Sequence, residues 1–204
     1  MPAPRTSADP PPRPSVPLRT IELTDPRALR AVAHPLRLRL LGLLRRDGPM
    51  TATRAGVATG ESAASCSFHL RQLAKYGLVE EAGGGRGRER PWRATSQFTS
   101  WPRAPRAPEL AAAATALGQV VAERYLEWLL AWLERRPEER TEWQEAAALG
   151  DALVYLTAPE LTELRDALFA LAEPFHARTS DPALRPEGAR AVAFIQLAFP
   201  VVDD

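Results

Sequence analysis

Cysteine is almost absent from this 204-residue chain, in which Cys66 is the only one. An internal disulfide is therefore excluded, and a thiolate metal site, which uses two or more cysteines, is not expected. His34, His69 and His176 are the only histidines. We therefore predict no metal site.

Long apolar runs and catalytic motifs are missing as well. No segment is long enough to span a bilayer, and no charged-then-apolar leader opens the chain, so we expect a cytoplasmic, nucleoid-associated protein with no membrane partner. The sequence contains no Gly-rich phosphate loop and no Ser/His/Asp set that could be assembled from spacing alone. We therefore expect no catalytic residues, no cofactor and no enzyme.

Lysine occurs once, at Lys75, and the positive charge that arginine supplies is unevenly distributed. Residues 26–95 contain 13 Lys and Arg against 5 Asp and Glu, whereas residues 107–204 contain 8 against 17. A basic first half beside an acidic second half indicates that the first half contacts a polyanion. Charge alone does not identify the polyanion as nucleic acid, because arginine-rich surfaces are common.

The first half of the chain predicts a series of short helices. Residues 1–20 hold seven prolines and are predicted to be a disordered tail. A helix should begin at Thr24–Asp25 and end before His34–Pro35, and a second should run from Leu36 to Arg46, with its arginines in water. A third, short helix should follow at Thr51–Thr59, with Thr51 as a cap.

The segment from Ser62 to Tyr76 predicts a helix that reads DNA. Ser62 is a natural N-cap and Gly77 ends the helix. The inner face is apolar at helical spacing and consists of Ala63, Cys66, Leu70 and Leu73. The outer face consists of Ala64, Ser65, Phe68, Arg71, Gln72 and Lys75. A short helix, a turn and a longer helix with an apolar inner face form the helix-turn-helix pattern.

A basic hairpin should follow the reading helix. Residues 78–81 and 91–95 can form two strands, joined by a glycine-rich loop at 83–90 that carries Arg86, Arg88 and Arg90. Such a wing would neutralise phosphates or enter the minor groove. The alternative is an ordinary charged surface loop.

Three segments together resemble the ArsR-type winged-helix transcriptional regulators. They are His34-Pro35-Leu36-Arg37-Leu38-Arg39-Leu40-Leu41, the stretch 62–73 with its Ser-Phe-His-Leu-Arg-Gln-Leu core, and Gly77-Leu78-Val79. The resemblance covers residues 25–98 and implies a homodimeric repressor on a near-palindromic operator, released by a signal. It also implies DNA contacts at Ser62, Ala64, Ser65, Ser67, Phe68 and His69. The predicted DNA-binding set is completed by Thr51, Arg71, Gln72, Lys75 and the wing arginines. Because the paired cysteines of metal-sensing members are missing, metal or arsenic sensing is not expected.

The second half predicts a different kind of domain. After a linker at 99–108, a long helix should cover 109–135, with an apolar surface too wide for one neighbour. We expect it to be clamped between its own domain and a dimer partner; the alternative is burial within one chain. Residues 152–156 and 189–199 suggest strands, and Thr157 with Glu160 forms a capping box for a helix that ends near Phe175.

The predicted fold class is mainly α with a small β component (α+β), with a winged helix-turn-helix domain at 21–98 and a helical or α+β dimerisation or sensor domain at 109–204. Four aromatic residues of the second half are candidates for an apolar effector pocket, although each is more simply a core residue: Tyr125, Trp128, Trp132 and Tyr155. The predicted function is a sequence-specific DNA-binding regulator with double-stranded DNA, a second copy and a small-molecule effector as partners. The alternative is a winged-helix module that binds proteins, or DNA without specificity.

Overall fold

The computed structural model describes residues 19–84 and 90–201. Within these residues the chain is mostly helical, with a few short strands, as the predicted fold class requires. The helices are α1 (Pro26–Val32), α2 (Pro35–Asp47), α3 (Ala52–Thr59), α4 (Ala63–Lys75), α5 (Pro108–Arg135), α6 (Thr141–Ala146) and α7 (Ala158–Ser180). The strands are β1 (Thr20–Glu22), β2 (Val79–Glu81), β3 (Trp92–Ala94) and β4 (Phe98–Ser100). Residues 1–18 of the predicted tail lie outside the described residues.

The first four helices begin where a side chain accepts from the free backbone N–H groups of the first turn. Asp25 accepts from Arg27 at 2.8 Å, and Thr51 accepts from the N–H of Arg54 at 3.2 Å. Nδ1 of His34 caps α2 by accepting from the N–H of Leu36 at 3.2 Å, and Oγ of Ser62 caps α4. The predicted helix starts are confirmed to within one residue.

One apolar core joins α1 to α4, the hairpin β2–β3 and the first turns of α5. Its fully buried side chains include Leu29, Leu40, Leu70, Leu73 and Leu78. Ala113 and Leu117 of α5 belong to the same core. Leu117 is also the last fully buried residue along the described chain.

Two small sheets flank this core. β2 and β3 are antiparallel, with Glu80 opposite Arg93, and Trp92 exchanges backbone hydrogen bonds with Met50 just before α3. β1 and β4 are parallel. The strand β4 occupies the start of the segment predicted as a linker.

Arg45 attaches β4 to α2 through hydrogen bonds, so the prediction that this arginine stays in water is wrong. Its guanidinium donates to the carbonyl of Ser96 at 2.9 Å and to Oγ1 of Thr99 at 2.7 Å. Burial, followed by repulsion from Arg124, lowers the pKa of Arg45 to about 10. A charged side chain in this place needs backbone and hydroxyl acceptors because the described structure gives it no carboxylate.

The long helix α5 has the predicted bounds to within one residue. Its first turns pack on α1, where Arg30 also forms an ion pair with Glu109 at 2.7 Å. Further along, four of its large apolar side chains are exposed: Leu126, Trp128, Leu130 and Leu133. Arg124, near the middle of α5, is half-buried and donates to the carbonyl of Leu38 at 3.0 Å. Within one chain, therefore, the fully buried residues of α5 all lie in its first half.

The second half departs from the predicted α+β arrangement. Neither 152–156 nor 189–199 forms a strand, and the described residues after Ser100 contain helices and loops only. A short apolar run has no periodicity that separates a strand from other structures, and a strand also needs a pairing partner. The capping box of Thr157 and Glu160 is confirmed. The helix that it starts, α7, contains Pro174 and continues to Ser180. Pro174 is exposed, so water can donate a hydrogen bond to the backbone carbonyl that the missing N–H of proline leaves without an intrahelical donor.

Candidate nucleic-acid interface

The helix α4 presents a polar face outward because its apolar residues are anchored inside. Cys66, Leu70 and Leu73 are fully buried, as predicted, whereas Ala63 is exposed, because it lies in the first turn beyond the core. Gly77, with φ +71°, lets the chain turn at once into the wing. The cap at Ser62, the turn at Gly77 and the buried side chains together fix the position of α4.

The outward face of α4 carries most of the predicted DNA-binding residues. Ala64, Phe68, Arg71 and Lys75 are exposed, and Ser65, Ser67 and Gln72 are half-buried. Nη1 of Arg71 donates to Oγ of Ser67 at 2.8 Å, one turn earlier, which orients the guanidinium along the helix. The hydroxyl of Ser62 already accepts from the N–H of Ser65 at 3.1 Å, so its first role is capping.

A groove of about 550 Å³ runs between α3, α4 and the wing. Its lining residues are Thr51, Ala52 and Thr53 at the start of α3, Ser67 and Arg71 on α4, and Glu81, Arg90 and Trp92 on the hairpin. Arg71 and Arg90 therefore line the same groove as the positive N-terminus of α3. This combination suits the binding of a polyanion backbone.

Sequence reasoning missed part of this groove. Thr53 and Trp92 were not predicted as site residues, although the position of Thr53 in the first turn of α3, two residues after its cap, was a usable signal. Glu81 was missed because an acidic residue is not an expected contact for a polyanion. Its place in the groove depends on the pairing of β2 with β3, which the sequence suggested only as two short strands.

The base of the wing carries two arginine–glutamate pairs. Nη1 of Arg90 lies 3.2 and 3.1 Å from the two carboxylate oxygens of Glu81, and Arg93 lies 2.7 Å from Glu80. Gly83 and Gly84 both have positive φ, at +71° and +74°, so the loop begins in a conformation that glycine favours. Arg86 and Arg88, the other predicted wing contacts, lie outside the described residues.

His69, which the resemblance implies as a DNA contact, is half-buried beside His34 at the start of α2. Its ring lies 4.5 Å from that of His34 and 5.2 Å from that of Phe68, and its Nδ1 is buried without a partner in the structure. Burial, with further contributions from His34 and Arg37, lowers the pKa of His69. Burial and Arg37 likewise lower the pKa of His34, and only Glu61 opposes both shifts. The pair therefore joins α4 to the start of α2 as neutral rings.

Acidification should weaken this junction. A histidine whose folded-state pKa lies below its ordinary value of 6.5 binds fewer protons in the folded state than in the unfolded state. The contribution of the two histidines to the free energy of unfolding is therefore fully present above pH 6.5 and is lost as the pH falls below it. We expect the free energy of unfolding to decrease from pH 7.5 to pH 5, by less than about 1 kcal/mol because water screens half-exposed groups. Urea unfolding at a series of pH values measures it.

The double variant His34→Asn, His69→Gln is the control for acidification, because asparagine also caps helices and neither new side chain titrates. Its stability should change less over the same pH range. An identical pH dependence in the double variant would assign the loss to other groups.

The predicted effector residues are not gathered around one cavity. The rings of Tyr125 and Trp128 lie 6.0 Å apart, and Arg124 stacks on Trp128 at 4.3 Å. Trp132 is half-buried and Tyr155 is 97% exposed. None of the four lines the groove beside α4 or the smaller cavity under Trp101. The effector pocket stays a prediction.

Part of the chain matches a known class of domain. Residues 32–82, from the end of α1 through α4 and β2, match the family model described as a helix-turn-helix domain. Residues 32–82 form a helix-turn-helix domain. The hairpin β2–β3 is its wing, so the predicted winged helix-turn-helix is confirmed. This helix-turn-helix uses α3 and α4 as its two helices, and α4 is in the place of the recognition helix.

Two solved structures are similar to this chain. One is the homodimeric winged helix-turn-helix DNA-binding domain of a possible ArsR-family transcriptional regulator from Mycobacterium bovis, with 29% identity, a TM-score of 0.32, and coverage of 49% of this chain and 79% of that one. The other is described as a possible transcriptional regulator for arsenical resistance, with 28% identity, a TM-score of 0.31, and coverage of 52% and 94%. A search of the curated proteins finds no match.

In the described part of the chain, no group of three or more His, Cys, Asp and Glu residues is arranged to hold a metal ion. No helix of residues 19–84 or 90–201 is long and apolar enough to cross a membrane.

Proposed function

We propose that this chain is a sequence-specific, DNA-binding transcriptional regulator that acts as a homodimer. The observation that carries the proposal is the groove in which Arg71 of the recognition helix, the N-terminus of α3 and Arg90 of the wing converge. In this arrangement α4 enters the major groove, while α3 and the wing hold the flanking phosphates. No catalytic residue is assigned.

The exposed apolar side of α5 supports the homodimer. Leu126, Leu130 and Leu133 share one face of this helix, because they lie three and four residues apart, and their exposed fractions are 54%, 56% and 37%. A second copy of the chain would cover this surface and would place two recognition helices for two half-sites. The resemblance to ArsR-type regulators makes repression, released by a signal, the proposed direction of control.

A mobility-shift experiment tests the proposal. The purified protein is incubated with duplexes that it has selected from randomised DNA, in the presence of excess random duplex. Retention of the shifted band supports a sequence-specific regulator, and equal competition by random duplex would favour the non-specific alternative. Equilibrium sedimentation of the free protein and of the complex tests the dimer.

The wing should contribute to the salt dependence of binding. Replacing Arg86, Arg88 and Arg90 by alanine should flatten the slope of log affinity against log salt by up to about 0.9 for each arginine that neutralises a phosphate. Fluorescence anisotropy over a range of KCl concentrations measures the slope. The triple variant at Arg135, Arg136 and Arg140 removes the same charge at the far end of α5 and is the control. An unchanged slope in the wing variant would remove the wing from the contact surface.

A further inference from the structure

Glu81 places a carboxylate in the groove that is proposed to hold DNA, where it lies among positive and polar groups. The groove is otherwise lined by hydroxyl, apolar and arginine side chains. A carboxylate facing a polyanion opposes binding. Glu81 nevertheless lies in the groove, where it pairs with Arg90.

Arg90 is bound to Glu81 through both carboxylate oxygens, at 3.1 and 3.2 Å. The side chain of Arg90 is 73% exposed and that of Glu81 is 47% exposed, so a phosphate can reach Arg90. An exposed ion pair of this kind is weak, and a phosphate can replace the carboxylate. While the pair persists, the charge of Arg90 is cancelled.

We infer that Glu81 is a specificity-determining residue, which rests on the proposed function. In the free protein and on non-cognate DNA, Glu81 holds Arg90 and reduces the general attraction of the wing for phosphate. On a cognate duplex, the contacts of α4 bring a DNA phosphate close enough to replace Glu81 as the partner of Arg90. The exchange therefore adds one phosphate contact only where the sequence fits.

Glu80 provides a matched control on the same strand. It also pairs with an arginine, Arg93, at 2.7 Å, and its side chain is 51% exposed. Neighbouring residues of a strand point to opposite faces, and Glu80 does not line the groove. Glu80→Gln and Glu81→Gln thus remove the same charge from the same strand, but only the second does so inside the groove.

The experiment measures affinity against KCl concentration for wild type, Glu80→Gln and Glu81→Gln. Two duplexes of equal length are used, one selected by the wild type from randomised DNA and one of random sequence. On random duplex, Glu81→Gln should bind about two- to five-fold more tightly. Its salt slope there should steepen by about 0.9, because Arg90 becomes free to neutralise one more phosphate. On the selected duplex the slope should stay unchanged.

The double variant Glu81→Gln, Arg90→Gln should lose the gain on random duplex. The inference is overturned if Glu81→Gln binds random duplex as the wild type does, if Glu80→Gln gains as much, or if the gain persists without Arg90. Wild-type protein that binds no duplex, or that selects none, would instead overturn the proposed function. Normal wild-type selectivity with no effect of Glu81→Gln would overturn this inference alone.

Discussion

Replacing Gly56 by alanine should lower the free energy of unfolding by about 1–3 kcal/mol and weaken DNA binding at the same time. Gly56 lies within α3 and faces the turn at residues 60–62 that leads into α4. A Cβ atom at this position would lie 2.7 Å from the carbonyl oxygen of Glu61 and 3.3 Å from the backbone nitrogen of Ala63. Both are backbone atoms, so the turn itself must move. The N–H of Glu61 also donates to the carbonyl of Gly56 at 3.1 Å, which ties the two segments together.

The reading helix begins directly after this turn, so the displacement should reach its N-terminal residues. Urea unfolding and binding to a selected duplex, measured on the same preparation, separate the effect on stability from the effect on affinity at protein concentrations where the variant is folded. Gly118→Ala is the control, because a Cβ on this residue of α5 meets nothing within 4 Å. That variant should be more stable by about 0.5–1 kcal/mol, since alanine favours the helix. Equal behaviour of the two variants would show that the turn has room for a methyl group.

The helix-turn-helix could be predicted closely because its determinants are local. Thr51 and Ser62 accept from backbone N–H groups within three residues, and Gly77 supplies a positive φ at the end of α4. The inner face of α4 follows helical spacing at Cys66 and Leu70. Each of these signals can be read within one or two turns of sequence.

The parts that could not be predicted depend on contacts between distant segments. Arg45 is half-buried because Ser96 and Thr99 of a segment about fifty residues away accept its hydrogen bonds. Glu81 enters the groove because β2 pairs with β3, and the ring of His69 lies beside that of His34, the N-cap residue of α2. The apolar segments at 152–156 and 189–199 have compositions typical of strands, but neither forms one in the described residues of one chain, because no strand there pairs with them. Composition alone carries no information about which partner is near.

Arg71→Ala should reduce affinity for a selected duplex by about 1–3 kcal/mol, which corresponds to about five- to 150-fold, if Arg71 reads a base. Arg71 is exposed on the outer face of α4 and lines the groove, and Oγ of Ser67 orients it at 2.8 Å. A bidentate arginine on guanine would relax preference at one base position. A phosphate contact would instead weaken all duplexes alike and reduce the salt slope by about 0.9. Binding to a set of selected duplexes with single base changes distinguishes the two roles.

Two further variants separate the charge of Arg71 from its geometry. Arg71→Lys retains the charge but lacks the planar fork, so it should rescue a phosphate contact and fail to rescue base reading. Ser67→Ala removes the hydrogen bond that orients the guanidinium, and it should cost part of the affinity only while Arg71 is present. If Arg71→Ala binds the selected duplex as tightly as the wild type, the outer face of α4 does not contact DNA in the proposed way. A loss shared by Arg71→Lys but absent on random duplex would identify Arg71 as the base-reading residue of the recognition helix.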